Sequence, residues 1–204
     1  MVSEIRIYVE GGGDSRKTKN WVRQGFHAFL NNLVKKAQDQ EIKWQIIACG
    51  SRNATYRSFM IALDQHKYAF NMLLVDSEGP VTLQPWEHLR QRDHWNSHGA
   101  DETQCHLMVQ MMEAWFIADA DALRRFYGQR FNANAIPKNP NVEEIPKGQV
   151  ESALQDATRR TTKGKYHKTR HAPKLLEQLD VSKVREAAPH CNRLFTILEE
   201  KIRT

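Results

Sequence analysis

Apolar residues along this chain come in short dense runs separated by stretches of helical spacing. Residues 5–9, Ile-Arg-Ile-Tyr-Val, are rich in β-branched and aromatic side chains and read as a buried strand, ended by Glu10 and by Gly11, Gly12 and Gly13. Val22, Phe26, Phe29, Leu30, Leu33 and Ala37 then recur at intervals that put them on one face of a single helix. A second strand is expected over residues 44–48, closed by Gly50 and Ser51. Ser51 or Asn53 is placed to cap the helix whose stripe is Phe59, Met60 and Leu63. A third strand, residues 71–75, stops at Asp76. Beyond turns at Pro80 and Pro85 the pattern predicts a short polar helix over residues 86–95 and a fourth strand over residues 106–109. A helix carrying Trp115, Phe116, Leu123 and Phe126 follows.

Strand and helix alternate four times, and a parallel sheet with helices on both faces is the economical solution. The expectation is therefore an α/β fold: a four-stranded, mainly parallel, Rossmann-like sheet flanked by helices, with a helical C-terminal extension. Residues 1–131 form the core in this reading. Residues 132–148, rich in Asn and Pro, are a linker or loop. Residues 149–204 are a basic helical extension packed on the core, with one stripe at Leu175, Leu176 and Leu179 and another at Leu194, Phe195, Leu198 and Ile202. Trp86 and Trp95 read as packing residues, and Trp21 and Trp115 as core.

Composition narrows the class. At 204 residues, 40% hydrophobic and 26% charged, the chain can bury a core without staples. No apolar run is long enough to span a bilayer, and the N-terminus lacks a signal-peptide pattern. Cys49, Cys105 and Cys191 are far apart and odd in number, against a disulfide framework or a zinc knuckle. A reduced, cytoplasmic setting is expected. The net charge of +6 points modestly to a polyanionic partner.

In an open parallel sheet, ligands bind at the carboxyl ends of the strands, and here the acids gather there. Glu10 ends the first strand with Asp14 just beyond the glycines, Asp76 ends the third with Glu78 two residues on, and Glu113 follows the fourth. Carboxylates that converge repel one another unless a cation lies between them, and an all-oxygen set suits Mg²⁺ or Mn²⁺. Asp14 or Ser15 also reads as the cap of the first helix, and Glu113 as a solvated helix residue. Asp76→Ala is expected to abolish metal binding and leave the fold intact. The stretch Gly11-Gly12-Gly13-Asp14-Ser15-Arg16-Lys17-Thr18 lacks the spacing of a nucleotide-binding phosphate loop.

Tyr8-Val9-Glu10-Gly11 followed by Leu73-Leu74-Val75-Asp76-Ser77-Glu78 resembles the Toprim signature of topoisomerases, bacterial primases and OLD-family nucleases. Met108-Val109-Gln110-Met111-Met112-Glu113-Ala114-Trp115, with Lys165-Tyr166-His167-Lys168, resembles a bacterial family catalogued as domain of unknown function 4276, regarded as Toprim-like. The second acid of the Toprim Asp-x-Asp is Glu78 here. The resemblance implies metal-dependent phosphodiester cleavage of DNA or RNA. Glu10 would be a metal ligand or general base, and Asp14, Asp76, Glu78 and Glu113 metal ligands. It also implies a role in anti-phage defence beside an ABC- or SMC-like ATPase. Two other functions remain open: a non-catalytic module that binds nucleic acid or a partner, and a nucleotide phosphohydrolase or phosphotransfer enzyme.

Residues 159–174 hold seven Lys or Arg and no acid. Arg159, Arg160, Lys163, Lys165, Lys168 and Arg170 are suited to neutralising phosphates without reading sequence, although a solvated basic loop would look the same. Lys168 or Lys163 is placed to reach the acids and stabilise charge on a phosphate, which makes Lys168 a catalytic candidate beside Glu10 and Asp76. His167 and His171 lack a third zinc ligand nearby.

Overall fold

The computed structural model describes residues 2–203; Met1 and Thr204, the outermost residues of the expected core and extension, lie outside the described residues. Four strands, β1 (Glu4–Glu10), β2 (Lys43–Gly50), β3 (Phe70–Asp76) and β4 (Cys105–Met108), form one sheet in the order β2-β1-β3-β4. Every pairing is parallel. The molecule is thus an α/β Rossmann-like fold with a helical C-terminus, as the alternating pattern predicts. The chain leaves β1 toward one edge and returns to the other side of β1 for β3. That reversal opens a crevice at the carboxyl ends of β1 and β3.

Helices cover both faces. On one side α1 (Arg16–Phe29), α2 (Asn31–Asp39) and the later helices pack on Ile5, Ile7, Val9, Met72 and Leu74. On the other, α3 (Arg52–Gln65) and α4 (Pro85–Asp93) cover Tyr8, Leu73, Val75, Cys105 and Leu107. Both faces being dry explains the continuous apolar run of residues 72–75 in β3. After β4 come α5 (Ala114–Ala118), α6 (Ala120–Tyr127), α7 (Lys147–Thr158), α8 (Lys168–Leu176), α9 (Val181–Ala187) and α10 (Pro189–Arg203). Leu175, Leu176, Leu194, Phe195, Leu198 and Ile202 join the larger core, so the C-terminal helices share it rather than sit apart. No helix among the described residues is long and apolar enough to cross a membrane.

Several expectations need correcting. The single helix expected from Val22 to Ala37 is two, α1 and α2, hinged at Leu30, which has φ −95° and ψ 11° and serves as C-cap of one and N-cap of the next. The helix expected to carry Trp115, Phe116, Leu123 and Phe126 is likewise two, α5 and α6, parted at Asp119. Residues 132–146 form a loop, with α7 starting at Lys147. They carry 3-10 turns at Ala133–Ala135 and Val142–Glu144, and they bury Ile136, Val142 and Ile145 in the main core. Trp21 is only half-buried on the surface of α1, where the Lys17 ammonium lies 5.1 Å from its ring. Trp115 is fully buried, and Trp86 and Trp95 pack in the smaller core.

Candidate metal centre

Glu10 is the last residue of β1, and the chain turns away from it through Gly11, Gly12 and Gly13, all with positive φ. Gly12 has no alternative: its φ is +87°, and a Cβ there would lie 2.8 Å from the Lys19 Cα. Ser15, rather than Asp14, caps the helix that follows, its Oγ accepting from the Thr18 N–H at 3.1 Å. Asp76 ends β3 and is 3% exposed. Its backbone N–H donates to Glu10 Oε2 at 3.3 Å, so the neighbouring strands hold the two carboxylates together. Glu78 has φ 65°, and its N–H donates to the Gln110 carbonyl at 2.8 Å, which fixes the left-handed turn that swings its side chain back to the strand ends. Glu10, Asp76 and Glu78 each offer a carboxylate oxygen within 4.8 Å of the others. This is the one such group of three or more His, Cys, Asp or Glu found among the described residues. The set is hard oxygen throughout and can hold a divalent ion.

Two further sequence candidates join this cluster. Lys168, first residue of α8, places Nζ 3.3 Å from Asp76 Oδ2 and 3.4 Å from Glu113 Oε2. Glu113 is not a solvated helix residue: it is 1% exposed, and its Oε1 accepts from the Tyr166 hydroxyl at 2.8 Å. Its Oε2 lacks a hydrogen-bond donor and faces only the Lys168 ammonium.

Asp14 does not join the cluster. It is exposed beyond the glycine turn and lines a separate groove with Arg16, Lys19 and Arg23 along β2. The basic segment is dispersed as well. Arg159 and Arg160 line an open groove of about 740 Å³ with Arg130 and Phe131, and Arg159 also pairs with Asp156 at 3.5 Å. Lys163 lies 5.2 Å from the Phe126 ring, away from the acids. Lys165 is exposed, and Arg170 faces a groove beside Trp21. His171 Nδ1 is engaged by the Tyr127 hydroxyl at 2.9 Å and the His167 N–H at 3.2 Å.

Sequence reasoning missed the other cations. Arg52 donates to Glu10 Oε2 at 3.3 Å and to the Asp76 carbonyl. It is held by Asp93 at 2.7 Å and by the Trp95 ring at 5.0 Å. Lys147 Nζ lies 2.5 Å from Glu78 Oε2, with Arg92 at 4.0 Å. Arg52 was findable, because it follows the carboxyl end of β2. Lys147 and Arg92 gave no local signal.

These neighbours set the protonation states. Burial, reinforced by Asp76, pushes the Glu10 carboxyl up to about 7 despite Arg52 and Lys168. Burial also raises Glu113, with Lys168 opposing and Asp76 assisting. Burial pulls Lys168 down, but Asp76 and Glu113 outweigh it and hold the ammonium above its ordinary value. Burial would raise Glu78, yet the Lys147 hydrogen bond and charge keep it below the usual range. A carboxyl near neutrality, an anchored ammonium and a converging oxygen set are the parts needed for proton transfer and charge stabilisation at a phosphate.

No curated protein and no solved structure matches the chain. Residues 9–199 match a family model described as Domain of unknown function (DUF4276).

Proposed function

The chain belongs to that family, whose description carries no activity, and from the acidic site we propose that it is a metal-dependent phosphodiester-cleaving enzyme of Toprim type acting on DNA or RNA. The observation that carries this is the convergence of Glu10, Asp76 and Glu78 within 4.8 Å at the switch point of the sheet. Mg²⁺ or Mn²⁺ held by these three would polarise a phosphoryl oxygen. Glu10 would act either as a ligand of that ion or, with the ion on Asp76 and Glu78, as the base that takes a proton from the attacking water. Lys168, tethered between Asp76 and Glu113, neutralises charge developing on the phosphate. Tyr166 holds Glu113, and Glu113 holds Lys168.

A second reading rests on the four cations, Arg52, Arg92, Lys147 and Lys168, that already pair with these acids. A cluster neutralised internally could serve a binding module that never cuts. One assay separates the two. Labelled DNA and RNA are incubated with the protein in Mg²⁺, Mn²⁺ or EDTA, and with Asp76→Asn alongside. Cleavage that needs metal and is lost in Asp76→Asn supports the enzyme. Binding without cleavage in any metal supports the module.

A further inference from the structure

A cavity of about 240 Å³ opens directly beside the carboxylates. Its walls are apolar: Val22 and Phe26 of α1, Met108 and Met112 at and beyond the end of β4, and Ala172 and Leu176 of α8. Glu10, Asp76 and Lys168 line it as well. The two helices that form it meet where Gly25 faces Pro173; a Cβ on Gly25 would lie 2.7 Å from the Pro173 carbonyl oxygen. The metal centre alone gives no reason for an apolar recess at this place.

We propose that this cavity receives one unpaired nucleobase whose adjoining phosphate lies at the carboxylate cluster and Lys168. The inference rests on the phosphodiester reading above and adds the substrate class: a single strand, a flipped-out nucleotide or a free nucleotide, not an intact base pair. Two observations favour a base. The walls are largely apolar, and the space of about 240 Å³ admits a ring system. On the phosphodiester reading an ion on the carboxylates together with Lys168 takes a phosphate, and the flat, apolar-faced group one sugar away from a nucleic-acid phosphate is the base.

The test compares adenosine monophosphate with ribose 5-phosphate, and an oligonucleotide with the same strand made abasic at single positions. The variants are Thr169→Trp, from an exposed lining position, and Leu176→Phe, from a buried one, both enlarging a side chain that lines the cavity. Thermal melting checks that both variants fold. In the wild type, adenosine monophosphate should bind at least tenfold more tightly than ribose 5-phosphate, and either variant should erase the difference. Cleavage should fall at least tenfold at a bond whose neighbouring base is missing. Equal binding of the two small ligands by the wild type, or an undiminished preference in both folded variants, overturns the pocket. If the base preference is found and lost as described but no strand is cut in Mg²⁺ or Mn²⁺, the pocket stands for a free nucleotide and the cleavage reading falls. If intact and abasic strands are cut equally, cleavage stands and the pocket falls.

Discussion

Glu10 and Asp76 show how position sets the behaviour of a single side chain. Folding raises the Glu10 carboxyl from an ordinary value near 4.5 to about 7, so the folded protein holds a proton that the unfolded chain releases. Its contribution to stability is full below about pH 4.5 and is lost as pH rises through 7, by up to about 3 kcal/mol without metal. Urea unfolding of metal-free protein across this range should show that decline, and Glu10→Gln should flatten it. The same proton competes with a cation. Mg²⁺ affinity should therefore fall close to tenfold per pH unit below 7 and level off above, as calorimetric titration would show. Asp76 is less dispensable than its place at a strand end suggested. Its Oδ1 accepts from the buried Met112 N–H at 2.8 Å, so Asp76→Ala should cost about 1–3 kcal/mol in denaturant melts. Asp76→Asn should keep most of that stability and still lose the metal.

At the scale of elements, the strands were legible as short dense apolar runs, β-branched in β1 and β2 and mostly Leu and Met in β3 and β4. Periodicity missed the break at Leu30 because the stripe Phe26, Phe29, Leu30, Leu33 and Ala37 stays on the core side through the hinge. Only the backbone angle at Leu30 records the bend. Composition marked the absence of regular structure over residues 132–146, but isolated Ile136, Val142 and Ile145 have no period to betray their burial. The acids at the ends of β1 and β3 were legible from the sheet rule, whereas Lys147 reaches Glu78 across a sequence separation of 69 that no local pattern spans. Phe29 tests the packing of α1 against α5 and α10. It stacks on Trp115 at 5.1 Å and meets Phe195 edge-on at 5.6 Å. Phe29→Ala should cost about 3–5 kcal/mol in an equilibrium unfolding experiment.

Across the whole molecule, α7 links the acidic centre to an arginine groove. Its first residue, Lys147, touches Glu78, and Arg159 caps its far end beside Arg160 and Arg130. Twelve residues of helix separate the acidic centre from that groove by about 18 Å. If the protein cuts nucleic acid, a strand reaching both would extend well past the bond being cut. Replacing Arg159 and Arg160 with Ala should weaken binding to all sequences alike. If both contact phosphates of a single strand, it should reduce the slope of log affinity against log salt by about 1.4. An unchanged slope in binding titrations would leave the groove a solvated surface.

The centre also joins distant parts of the chain, since Glu10 arrives first and Lys168 and Tyr166 arrive from its last quarter. Domains fold as their chains emerge from the ribosome, and here the acids at positions 10 to 113 are made long before the ammonium and hydroxyl that complete the set. A nascent chain stalled before α8 has left the exit tunnel lacks both the tethered lysine and one wall of the cavity. Proteolytic removal of α8–α10 would do the same to the finished protein. If the protein cuts nucleic acid and needs Lys168 to do so, it stays inert beside the messenger that encodes it until α8 has emerged, a delay enforced by topology alone.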